Sequence, residues 1–208
     1  MARQLRLLIV SGAFLLAGFI ALFLVPSRPS NQPPPLPLMG EVGNFVVTNQ
    51  AGARVEAASF RGQPMVVDLI FTRCPGPCRQ LTSVLRKIQD GLAAAGSAAR
   101  LVSVTSDPEF DTPPVLAGYS GKFGADPARW QFVTGDKTVL RDLATRQLKL
   151  VLVEKDAAER SGPDDLFLHS TMVVVVDRGG RLRAVVEGLE PGAVEKVLRA
   201  VEKVEKEK

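Results

Sequence analysis

Cysteine and histidine are scarce in this 208-residue chain, which contains two of the first and one of the second. A framework of several disulfides is excluded. With 46% hydrophobic residues the chain can fill a core without one. A closed four-ligand zinc site would have to recruit a carboxylate, because no third cysteine or second histidine exists to complete it. The net charge is only +4, basic residues are not interleaved with aromatics, and no nucleic-acid motif is present. The basic balance therefore reads as a solvated mixed-charge surface rather than a nucleic-acid footprint. No internal repeat is found. No cysteine lies near position 25, which argues against a lipid-modified terminus.

Long apolar runs are equally scarce, and the clearest is N-terminal. Leu7 to Val25 carries no charge over 19 residues and follows Arg3 and Arg6. That is close to the roughly 20 residues a bilayer-spanning helix needs, and the leading positive charges place the N-terminus in the cytoplasm. A cleaved signal peptide is the competing reading. Its apolar core is normally about 7–15 residues and ends in a small-residue site, whereas this run ends in Leu24-Val25-Pro26. Residues 1–25 are thus predicted as a membrane anchor (or signal peptide). Residues 26–39 form a Pro-rich linker with six prolines between Pro26 and Pro37, a semi-rigid spacer. Residues 40–208 form a soluble domain on the extracytoplasmic, periplasmic side of the cytoplasmic membrane. There an unprotected thiol pair tends to be oxidised unless it is reduced or occupied.

Within that domain, Phe45–Thr48 and Arg54–Glu56 flank Asn49-Gln50-Ala51-Gly52 as a hairpin. Met65 to Phe71 is a mostly apolar run expected of a strand buried on both faces. From Pro77 to Ala95, Leu81, Val84, Leu85, Ile88 and Leu92 recur at helical spacing. A second strand is expected at Arg100–Thr105, a helix at Thr112–Phe123, a short strand at Trp130–Gly135 and a helix at Asp136–Arg146. A hairpin follows from Thr171–Val176 to Leu182–Glu187, and a helix closes the chain over Pro191–Lys206. This order argues for an α/β fold with a mixed sheet, and a dithiol at a strand-to-helix turn within it predicts a thioredoxin-like fold.

The dithiol is Cys74-Pro75-Gly76-Pro77-Cys78. Side chains four apart across a helical first turn have Cβ atoms about 5–6 Å apart, more than the 3.8 Å or so of a disulfide. The spacing suits metal chelation as well as a redox bond, and the helix N-terminus favours thiolate. A purely structural disulfide would close only five residues, worth about 2 kcal/mol. His169, the single histidine, precedes the predicted hairpin, at the place where thioredoxins keep a cis-proline beside their cysteines. A lone histidine beside an apolar run is often a packed residue. In this topology it completes a set of two soft thiolates and one imidazole, which selects copper, Cu(I) or Cu(II), with zinc as a mismetallation risk.

Three separated blocks resemble the Sco/SenC family. They are Asp68 to Cys74 continuing through Cys78, Ser106 to Pro113, and His169-Ser170 followed by Asp177 to Leu182. The resemblance spans most of residues 40–205. It implies a membrane-anchored, thioredoxin-like copper protein whose partner is the CuA-bearing subunit of cytochrome c oxidase, with a thiol reductase or an upstream copper carrier as further partners. It implies Cys74, Cys78 and His169 as metal ligands, with Cys74 and Cys78 also a redox-active pair, and Asp107 in a supporting role beside its alternative as a turn or capping residue. Gly76 stands where the family often has a polar residue, and Arg79 where it usually has proline. Arg79 adds positive charge beside Cys78, which favours thiolate reactivity over cation retention. A copper metallochaperone, rather than an enzyme, is the leading reading. The alternatives are a thiol-disulfide oxidoreductase acting on exported thiols and a peroxidatic thiol protein.

Overall fold

The computed structural model describes residues 34–74, 76–162 and 164–207. The predicted anchor and residues 26–33 of the Pro-rich linker lie outside them. Among the described residues no helix is long and apolar enough to cross a membrane.

Among the described residues ten strands form: β1 Gly40–Glu41, β2 Val46–Asn49, β3 Arg54–Glu56, β4 Met65–Ile70, β5 Arg100–Thr105, β6 Trp130–Thr134, β7 Leu152–Glu154, β8 Phe167–His169, β9 Met172–Val176 and β10 Arg181–Glu187. The helices are α1 Pro77–Ala94, α2 Pro113–Lys122, α3 Lys137–Asp142 and α4 Ala193–Lys206. Eight strands make one sheet in the order β1-β10-β9-β4-β5-β6-β2-β3. Strands β4, β5 and β6 run parallel, and β9 pairs antiparallel with β4. This is a mixed α/β sheet of the expected thioredoxin-like kind, with the parallel strands at its centre because only there are both faces covered.

Alternation along the strands divides the core. Val67, Leu69, Val102, Val104 and Val174 face one cluster, shared with Phe45, Phe60, Leu140 and Leu143. Val66, Ile70, Leu101, Val173 and Val175 face the other, where α1 contributes Leu81, Leu85, Ile88 and Leu92 and α4 contributes Val197, Val201 and Val204. Each such aliphatic side chain, fully buried, stabilises the fold by about 1.5–3 kcal/mol. That packing seats α1, and with it the cysteine turn, on the sheet. Helix α1 starts with Pro77 at its first position and has no side-chain cap; proline suits that position because its missing N–H would have had no partner. Helix α3 is capped by Asp136, whose Oδ1 accepts from Thr138 N and Val139 N at 2.9 and 3.0 Å.

The structure departs from the expected elements at several points. The helix anticipated over Asp136–Arg146 is regular only to Asp142 and continues as a π-helical turn, Leu143–Gln147. Strands β7 and β8 form a separate two-stranded ribbon that no periodicity announces, since each has only three residues.

The start of the domain is locked by Arg183 on β10. Its side chain is 7% exposed and pairs with Asp177 at 2.9 Å and with Glu207 after α4. It also donates to the carbonyls of Leu36 and Pro37 at 2.6 and 3.3 Å. Met39 N then donates to Leu182 O, so the end of the Pro-rich segment runs onto the sheet edge as β1.

Candidate metal and thiol site

Strand β4 delivers the chain to the site. After Ile70 it turns at once: Cys74 N donates to Phe71 O at 3.2 Å, and α1 begins three residues later. Cys74 therefore lies ahead of the helix rather than on its first turn. The amides of Gly76 and Cys78 donate to its sulfur, as expected of unsatisfied N–H groups at a helix start. Cys78, on the first turn of α1, is fully buried, and Cys74 is 6% exposed. Both are free thiols. They share a small apolar cluster with Phe71 and Phe167.

His169 comes in from β8, 91 residues after Cys78. Its Nε2 lies 2.8 Å from Cys78 Sγ, and its ring packs edge-on against Phe71 with centroids 5.5 Å apart. Nδ1 is 3.1 Å from the Ser170 carbonyl. A carbonyl can only accept, so Nδ1 carries the proton and Nε2 presents its lone pair to the sulfurs. One ligand atom from each of Cys74, Cys78 and His169 lies within 4.8 Å of the other two. This donor set, two sulfurs and an unprotonated imidazole nitrogen, fits a thiophilic metal ion.

The two sulfurs are not equivalent. The hydrogen bond from Cys78 holds Cys74 down to about 4 against the cost of its burial, with the two backbone amides helping. Cys78 is pushed far up, first by donating that hydrogen bond, then by burial and by the Cys74 charge. One proton thus stays on the buried sulfur and the more accessible sulfur is the thiolate. Arg79 is exposed to solvent. The shifts of both thiols come from each other, from burial and from neighbouring groups, because adjacent residues on a helix point in different directions.

Asp107 does not join the sulfurs. Its Oδ2 accepts from Arg73 Nη2 at 2.7 Å, and Arg73 lies over the Phe110 ring at 4.1 Å. Two further carboxylates matter that the sequence reading did not single out. Asp111, fully buried, accepts from Thr72 N at 3.1 Å and from the Thr72 and Thr105 hydroxyls at 2.5 Å. Asp68 sits on the face of β4 that packs under α1, accepts from Ser103 Oγ at 2.6 Å, and burial pushes it up to about 7. Trp130 Nε1 donates to the same Ser103 hydroxyl at 2.9 Å. Among the described residues Asp68 Oδ2 has no hydrogen-bond partner. Its signal was present in the sequence: a lone carboxylate inside an apolar strand run has to be buried at a cost.

A dithiol at a strand-to-helix turn, with a histidine from a later strand closed onto it, defines a thioredoxin-like protein carrying a three-donor site. Residues 38–206 match the SCO1/SenC family model, and the chain belongs to that family. It is 28% identical over 177 residues to the SCO1 protein homolog of Bacillus subtilis, covering 85% of this chain and 88% of the relative. Its fold superposes on BsSco, a member of the Sco family of cytochrome c oxidase assembly proteins, with a TM-score of 0.72 at 24% identity, over 84% of this chain and 100% of that one. The ScoI protein of Bradyrhizobium japonicum, solved with copper bound, gives 0.66 at 20% identity, over 79% of this chain and 99% of that one.

Proposed function

We propose that this protein binds one copper ion, Cu(I) or Cu(II), through the sulfurs of Cys74 and Cys78 and Nε2 of His169. It delivers the ion to the CuA site of cytochrome c oxidase, or prepares the cysteines of that site. The observation that carries this reading is the convergence of the three donor atoms within 4.8 Å, with the imidazole lone pair turned inward. Copper in a related Sco protein supports it. Copper takes the place of the Cys78 proton, so binding releases that proton and binds more tightly as pH rises. The N-terminal segment anchors the domain in the cytoplasmic membrane with the site on the periplasmic side, facing the CuA-bearing subunit; a thiol reductase or an upstream copper carrier resets it.

A second reading, thiol-disulfide exchange on exported proteins, is favoured by the unequal sulfurs. The Cys74 thiolate attacks a partner disulfide and forms a mixed disulfide. Cys78, losing its proton, then attacks Cys74, which releases the partner as a dithiol and leaves Cys74–Cys78 oxidised.

Copper titration of the reduced full chain beside His169→Ala separates the two. The carrier reading expects one-to-one binding with a thiolate-to-copper absorption band. Loss of the imidazole removes that band and costs more than the 10- to 100-fold or so that a lost supporting group costs. Absence of a band, with no affinity beyond a cysteine-free control, would overturn it and leave the dithiol as a redox centre.

A further inference from the structure

Three segments meet around the donor atoms, and one side chain touches all of them. Arg73, the residue before Cys74, pairs through Nη2 with Asp107 at 2.7 Å and through Nη1 with Asp164 at 3.7 Å. Asp107 belongs to the loop between β5 and α2. Asp164 lies five residues before His169 on the segment leading into β8. The guanidinium also stacks on Phe110 of the β5–α2 loop, a contact that adds attraction to the ion pair. The preceding residue, Thr72, is bound to that loop as well, through Asp111. Asp107 in turn is fixed by its own backbone: its N–H donates to Thr105 Oγ1 at 3.0 Å, and its carbonyl accepts from Asp111 N at 2.8 Å.

The geometry points to Arg73 as the positioning residue of this site, a bridge through Asp107 and Asp164 that holds the cysteine turn and the histidine strand in register. Asp107 acts on the donor atoms only through Arg73. The chemistry explains why arginine stands here. A guanidinium offers several donors in a planar fork, so it engages two carboxylates while lying flat on an aromatic ring, and an ammonium group has no such shape. The inference rests on Cys74, Cys78 and His169 being the working donors. It adds how two segments far apart in sequence keep those atoms together.

The test compares Arg73→Ala, Arg73→Lys, Asp107→Asn and the double variant Arg73→Ala/Asp107→Asn in the full chain. One readout is residue-resolved amide exchange of the reduced, metal-free protein. The amides of Thr72 and Cys74 report the cysteine turn, and those of Lys155 and Ser170, which donate to Leu166 O and Val151 O, report the histidine ribbon. In Arg73→Ala both sets are expected to exchange faster together by about fivefold, the factor a partly exposed ion pair accounts for. Asp107→Asn does the same to a smaller extent, Arg73→Lys is intermediate, and the double variant is no worse than Arg73→Ala. The second readout is the copper absorption band, which is expected to shift in Asp107→Asn and not to shift further when that change is added to Arg73→Ala. A change in only one of the two amide sets, or a copper band that still responds to Asp107→Asn once Arg73 is gone, would overturn the inference. If the unaltered chain shows no copper band, the proposed function fails while amide exchange still decides the role of Arg73.

Discussion

Two arginines in this protein each stand between two carboxylates, and they are built for different purposes. Arg183 bridges Asp177 and Glu207 with its side chain 7% exposed, and its remaining donors go to the carbonyls of Leu36 and Pro37. Arg73 bridges Asp107 and Asp164 with its side chain 32% exposed, its second partner 3.7 Å away, and Nε without a partner among the described residues. The first is a closed clasp. All three nitrogens are engaged, and opening it strands buried charge. The second is half open, with a loose arm towards the histidine segment. They also sit at opposite ends of the sheet. Arg183 is near the start of β10, which runs parallel to β4, while the cysteine turn follows the end of β4. The fold places its tightly engaged ion network where the chain enters the sheet. It leaves a partly satisfied one beside the cysteine turn and the histidine segment.

Breaking the closed clasp should give the largest effect. Arg183→Ala leaves Asp177 and Glu207 without their shared partner, and such a loss costs about 3–5 kcal/mol. The lower end is expected because Arg181 still pairs with Asp177 at 2.8 Å. Urea unfolding measures it, with copper stoichiometry unchanged. A loss below about 1 kcal/mol would mean that the two arginines are alike after all.

Between the two ends lies Asp68, a buried carboxyl with no counter-ion of its own. Its folded pKa, about 7, stands above its ordinary value of 3.8. The folded state therefore holds a proton that the unfolded state has released. This contribution is fully present below pH 4 and is lost as pH rises through 7. The loss amounts to a few kcal/mol, about 1.4 for each unit of pKa difference. Asp68→Asn should flatten that slope in denaturation curves collected from pH 4 to 8. An unchanged slope would remove Asp68 as its source.

The smallest effect expected is kinetic and sharpens the contrast within the open end itself. Because Cys74 is held down to about 4, it remains thiolate at pH 5. It should then be alkylated by iodoacetamide about a hundredfold faster than an ordinary thiol, after allowing for the weaker nucleophilicity of a low-pKa sulfur. Cys78 should stay unmodified. Mass spectrometry after limited labelling checks both statements. Equal labelling of the two sulfurs would contradict the assignment of the proton to Cys78.

Much of this was legible in the chain. The apolar strand Met65–Phe71, the helical spacing of Leu81, Leu85, Ile88 and Leu92, and the Asp177–Gly180 turn predicted elements that the structure contains within a residue or two. The pair Cys74 and Cys78 with His169 stood out because reactive side chains are so few. Other features were not legible, and the reason is physical. The β7–β8 ribbon is too short to carry a period, and its pairing is a contact between residues 13 to 17 apart. Asp107 looked like a turn residue or a supporting group. That its partner is Arg73 depends on two loops meeting, which no local pattern encodes. Arg79, beside Cys78 in sequence, is exposed to solvent while Cys78 is buried, because neighbours in sequence on a helix are not neighbours in direction. The anchor predicted over residues 1–25 lies outside the described residues.

Sequence alone carries the alternation of strands and helices, the apolar core positions, and the identity of the few groups able to hold a soft metal or exchange a disulfide. Local propensity, apolar periodicity and composition act over a handful of residues and need no knowledge of the rest of the chain. Which of those groups meet depends on the packed fold. It brought Nε2 of His169 to 2.8 Å from Cys78, fixed its tautomer on the Ser170 carbonyl, and left the proton on one sulfur rather than the other. It also handed Asp107 to Arg73. These outcomes rest on distances of a few ångströms between residues up to 91 positions apart, and only the packed sheet sets such distances.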